Sequence, residues 1–180
     1  MRAGALFLVF GLFVEAYGAS LDDLKKALNT TQTIWLYNQS YQDGGYAASE
    51  TCVRWHLKSL KESLYTFDND YKNGTEYHTD YDMKATLSDS GDHVEMNVTY
   101  DREGKGFTNV LYKFHMWNPT GKCFVLTRTN KDGGSDRCEL HLWQEELLKL
   151  LKGGPTPCDE MYKELCKVQG PEVFSEDKCM

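Results

Sequence analysis

The chain has no surplus of positive charge, no apolar run long enough to cross a bilayer, and none of the glycine- or histidine-rich signatures that mark many enzymes. With 20 Lys and Arg against 27 Asp and Glu it carries a formal charge of -7, which disfavours nucleic acid and other polyanions as partners. Its most apolar stretch, Ala3 to Val14, falls short of the roughly 18 residues of a membrane helix, so no membrane partner is expected. No C-x-x-C pair occurs, and the histidines at 56, 78, 93, 115 and 141 form no H-E-x-x-H array, which leaves a metal site without support. The G-x-S-x-G elbow and the phosphate-binding glycine loop are missing too. The chain therefore reads as a non-enzyme that needs no cofactor. Paired carboxylates for glycoside hydrolysis have no fixed spacing in sequence and stay a minor alternative.

What is present suits one domain. The 180 residues are 41% hydrophobic and 13% aromatic, enough for a single filled core and cramped for two. Arg2, the apolar run and the small residues of Ala16-Tyr17-Gly18 read as a secretory signal peptide over residues 1–18, giving a mature single domain over 19–180. Removing the leader takes away Arg2 and Glu15 together, so the acidity belongs to the folded part. All six cysteines (Cys52, Cys123, Cys138, Cys158, Cys166, Cys179) lie there, and in an oxidising compartment they read as three disulfides. Sequons at Asn29, Asn38, Asn73 and Asn97 fit a secreted glycoprotein, whereas Asn118 is blocked by Pro119.

Ser20 with Asp23 predicts a capped helix over Leu21 to Leu28. Eight strand-like segments follow, near Thr33 to Tyr41, Thr51 to Leu57, Leu64 to Tyr71, Thr75 to Leu87, His93 to Tyr100, Thr108 to Trp117, Lys122 to Thr129 and Arg137 to Trp143. Turn residues such as Asn73-Gly74 and Ser90-Gly91-Asp92 separate them and favour antiparallel neighbours. Glu145 to Lys152 and Cys158 to Val168 then read as helices. The expected architecture is mainly β: an eight-stranded antiparallel barrel, closed so that no sheet edge is exposed, with a short N-terminal helix and C-terminal helices.

The sequons also orient the strands, because a glycan must project into water and side chains alternate faces. An outward Asn97 leaves Val94, Met96 and Val98 inside. An outward Asn38 sends Trp35, Tyr37, Gln39 and Tyr41 inward. In the last strand Glu139, His141 and Trp143 share one face and Leu140 and Leu142 the other. With the leucines packed under helices, a carboxylate, an imidazole and an indole would line the cavity, a set suited to a small aromatic cation. Alternation alone favours the opposite, since unpaired carboxylates are rarely buried. Tyr41, Asp43 and Tyr46 form a second cluster of aromatic and acid. A third, Glu76, Asp80 and Asp82 amid Tyr77 and Tyr81, reads first as an exposed tyrosine-rich strand pair.

The cysteine order, Thr51-Cys52-Val53, Phe107-Thr108-Asn109-Val110, Gly121-Lys122-Cys123, the C-E-L-H-L-W strand and Pro157-Cys158 with Tyr162 together resemble the tick salivary lipocalins that include the histamine-binding proteins. The resemblance implies a barrel that sequesters a small host mediator, most simply a biogenic amine such as histamine or serotonin, and so suppresses host inflammatory responses. The alternatives are a carrier of eicosanoids, fatty acids or cholesterol, and an immunomodulator that binds a host protein through its outer loops. A monomer is expected. It also implies ligand contacts at Tyr41, Asp43, Tyr46 and Glu139 with a further acid at Asp80, to which Tyr37, His141 and Trp143 are added from their positions. Here the strand reads E-L-H-L-W, two residues longer before the indole than the family's E-L-W. For the disulfides it implies Cys52 with Cys179 and Cys123 with Cys158, leaving Cys138 with Cys166. A Cys123 to Cys138 bond is the runner-up, and Cys158 with Cys166 would sit about 12 Å apart along one helix, beyond reach.

Overall fold

In the computed structural model, which describes residues 19–41, 50–102, 106–128, 137–154, 157–167 and 170–180, eight antiparallel strands follow the chain in order and close on themselves. They are β1 (Ile34–Gln39), β2 (Glu50–Lys61), β3 (Leu64–Asn73), β4 (Glu76–Asp89), β5 (Val94–Arg102), β6 (Gly106–Asn118), β7 (Cys123–Arg128) and β8 (Arg137–Trp143), with β8 pairing back onto β1. The expected leader over 1–18 lies outside the described residues. One boundary differs clearly from expectation: β2 runs past Leu57 to Lys61 and turns through Glu62 and Ser63, a pair without glycine or proline to announce it.

One end of the barrel is plugged. Helix α1 (Leu21–Leu28) begins at Ser20, whose hydroxyl accepts the Asp23 N–H at 3.1 Å while the Asp23 carboxylate accepts the Ser20 N–H at 3.2 Å. Its buried face, Leu24, Ala27 and Leu28, joins the interior cluster, and the Trp143 indole N–H donates to the Ala27 carbonyl at 2.9 Å. Each fully buried leucine there contributes roughly 1.5 to 3 kcal/mol. The interior above it is apolar: Val94, Met96 and Val98 point inward and Asn97 is exposed, as the sequon parity requires.

A second layer packs outside. Helices α2 (Gln144–Leu151) and α3 (Pro157–Leu165) cover β1, β7 and β8, α4 (Glu176–Cys179) lies on β2, and Leu140 and Leu142 meet Cys158, Met161 and Tyr162. Because those leucines face the helices, Glu139, His141 and Trp143 face the interior. Three disulfides, Cys52–Cys179, Cys123–Cys158 and Cys138–Cys166, tie the layer to the barrel in the pairing that the resemblance implies.

The seam between β1 and β2 is short. Only Ile34 with Trp55 and Trp35 with Arg54 are paired, and a bulge at Cys52, with φ 55°, turns the start of β2 away. The C-terminal tail fills the gap: the Gly170 N–H donates to the Gln39 carbonyl at 2.9 Å and the Cys52 N–H to the Val173 carbonyl at 2.8 Å. Gly170 is needed for this approach, since a Cβ there would lie 2.4 Å from the Gln39 oxygen.

Candidate ligand-binding site

Glu139 is 3% exposed and His141 1%, so the expectation from alternation alone, that the carboxylate of β8 stays in water, is overturned. Burial is tolerated because the charge is partnered. The Tyr41 hydroxyl donates to Oε1 at 2.5 Å, the His141 Nε2 lies 3.1 Å from Oε2, and the Arg128 Nε stands 3.7 Å from Oε1. Burial by itself pushes the carboxyl up. The hydrogen bond from His141, the Arg128 charge and the Tyr41 hydroxyl together outweigh it and hold Glu139 below the ordinary glutamate range. It is therefore a carboxylate at neutral pH.

Aromatic rings surround it. The His141 ring stacks between Trp55, with centroids 4.4 Å apart, and Phe124, at 5.0 Å. Its Nδ1 is buried without a hydrogen-bond partner, as is the hydroxyl of Tyr65, which stacks on Phe67 at 4.7 Å. Tyr100 and Tyr112 hydrogen-bond to each other. Burial and then the negative charge of Glu139 push Tyr100 up to about 12 and Tyr112 well above 10. Toward the end of the barrel away from α1, Arg128 and Arg137 face each other across β7 and β8, their guanidinium carbons 4.4 and 5.4 Å from the Tyr41 ring centroid.

A second polar pair lies on the β3 and β4 wall. Trp55 Nε1–H donates to Asn69 Oδ1 at 3.1 Å, and Asn69 Nδ2–H donates to Asp80 Oδ2 at 3.2 Å. Asp80 is there because of a bulge. Phe67 pairs with Met83 but Asn69 with Asp80, so one extra residue near Asp82, with φ 53°, reverses the parity and turns Asp80 to the inner face while Tyr81 stays 72% exposed.

The predicted contacts divide accordingly. Tyr41, Glu139 and His141 meet directly, and Asp80 faces the interior from the other wall. Trp143 shares the inner face but sits at the plugged end, its ring 5.1 Å from Trp117 and its N–H committed to α1. Tyr37 is on the outside, as is Trp35: both pack on Phe174 of the tail, at 6.2 and 5.3 Å. The inward reading of these two is corrected by a register shift between Leu36 and Asn38, which returns Gln39 and Tyr41 to the interior. Asp43 and Tyr46 lie outside the described residues. The pattern reading missed Arg128, Tyr100, Tyr112, Trp55 and Asn69. For Arg128 the signal was available, since Phe124, Leu126 and Arg128 alternate on one face.

Among the described residues no group of three or more His, Cys, Asp and Glu is placed to hold a metal, and no helix is long and apolar enough to cross a membrane. The sequence has no match among curated proteins. Among solved structures it is similar to Japanin from Rhipicephalus appendiculatus bound to cholesterol, with a TM-score of 0.56 and 14% identity over 84% of this chain and 97% of that one. It is also similar to lobster apocrustacyanin A1, with a TM-score of 0.48 and 13% identity over 88% and 89%. The first likeness confirms the lipocalin barrel. A family model described as tick histamine binding protein matches residues 15–180, nearly all of the chain, and on that match the protein belongs to the tick histamine-binding family of lipocalins.

Proposed function

We propose that the protein is secreted and sequesters a small host mediator inside its barrel, a biogenic amine before any other, with the ammonium group held by Glu139. The observation that carries this is a carboxylate at 3% exposure, ionised and walled by aromatic rings, because a cation placed there gains both Coulomb attraction and ring contact in a low dielectric. The unpartnered His141 Nδ1 offers a second polar contact beside it. Glu139→Gln keeps the shape and removes the charge, so amine affinity is expected to fall by roughly 1.5 to 3 kcal/mol. Calorimetric titration of both proteins with histamine and serotonin checks it. Equal affinity in a folded variant would remove Glu139 from the site.

The apolar wall of Val94, Met96 and Val98, with Arg128 and Arg137 toward the end away from α1, supports a second reading as a carrier of a fatty acid or sterol. Japanin, bound to cholesterol, shows the same fold holding a lipid. Native mass spectrometry separates the two readings, since a tightly held lipid should co-purify.

A further inference from the structure

Both oxygens of Glu139 already have donors, and one neighbour is itself a cation. The Arg128 Nε is 3.7 Å from Oε1, the oxygen that also accepts from Tyr41, and the Arg128 side chain is only 15% exposed. The guanidinium lies flat enough to bring its carbon 4.4 Å from the Tyr41 ring centroid, and Arg137 stands opposite it in the neighbouring strand. A carboxylate has about four acceptor positions, so a ligand ammonium can find a lone pair. What it meets there is a positive field from two arginines. Like charges brought within a few ångströms in a partly desolvated site oppose each other strongly.

We propose that Arg128 competes with the ligand's ammonium for Glu139 and thereby sets which amines the barrel retains: binding is an exchange of one cation for another at a single carboxylate. This rests on the amine reading of the same site and adds to it. Only an amine able to displace Arg128 from Glu139, or to bring enough ring surface against Trp55, Phe124 and His141 to offset the repulsion, would be held. Small amines without a ring would be rejected although the carboxylate suits them.

Arg128→Met removes the charge and keeps an apolar stem; Arg128→Lys keeps the charge and loses the flat guanidinium. Calorimetry with histamine should show the Met variant binding roughly tenfold more tightly than the wild type. The Lys variant should stay within about threefold of the wild type. Affinity against pH provides a readout that packing alone would not move. The groups around Glu139 are Tyr41 just beyond β1, Tyr100 on β5, Tyr112 on β6, Arg128 on β7, and His141 and Arg137 on β8, while Tyr162 on α3 feels its charge from the outer side of the wall. Of these Arg128 supplies the nearest positive charge that does not titrate, so the acid limb of histamine binding should move to higher pH in the Met variant and not in the Lys variant. Unchanged or weaker binding by a folded Met variant, with wild-type binding intact, would overturn the exchange. Absence of histamine and serotonin binding in every variant would instead remove the amine reading, and the exchange with it.

Discussion

A glutamate at 3% exposure that keeps its proton off is a source of stability as well as a site. Its carboxyl lies below the ordinary value of 4.5 in the folded chain, so the contribution is fully present above that value and is lost as pH falls through the depressed one. Wild type and Glu139→Gln should therefore differ most in thermal midpoint near neutrality and converge as the buffer is taken down well below the ordinary glutamate value. Melting followed by circular dichroism at a series of pH values checks this, and a gap independent of pH would mean that the charge contributes nothing to folding. The tyrosines shift the opposite way. Tyr100 and Tyr112 stay neutral in the folded state beyond their unfolded value of 10, so what they contribute is present below it and fades as pH rises above it.

Among the elements, the turn from β2 to β3 is the least expected. Glu62 has φ 51° and Ser63 does not share the left-handed conformation, the pattern of a type II′ hairpin whose first position is normally glycine. Glu62→Gly should relieve that conformation and raise stability by about 1 kcal/mol, measurable as a higher thermal midpoint. A drop would show that the turn is held by contacts of the glutamate side chain. The same elements explain what could be read from sequence. Strand order, α1 with its Ser20 and Asp23 cap, and the inward set Val94, Met96 and Val98 follow from local pattern, because alternation in β5 is unbroken. Tyr37 and Asp80 depend on bulges in β1 and β4, and a single inserted residue reverses every face beyond it. Burial of Glu139 required knowing that Tyr41, far away in sequence, and Arg128 on the neighbouring strand converge on it.

For the whole molecule, the disulfide from Cys52 to Cys179 closes the longest loop, with a sequence separation of 127. Replacing both cysteines by alanine should cost roughly 3 to 5 kcal/mol in the chain-entropy picture. Loss should be greatest at the β1 to β2 seam, so hydrogen exchange at the position 52 and Gly170 amides should quicken before exchange in β5 and β6 does. Uniform quickening would mean that the tail is no separate unit. Phe174, wedged against Trp35 and Tyr37, and the Lys72 ammonium donating to the Lys178 carbonyl at 3.1 Å attach the same tail from two sides. In a chain oxidised as it folds, Cys52 must wait for a partner that lies 127 residues further along. The bonds from Cys123 and Cys138 span only 35 and 28 residues and can close while that wall is still open. Closing the longest loop costs the most chain entropy, so the seam between β1 and β2 is the wall expected to seal last.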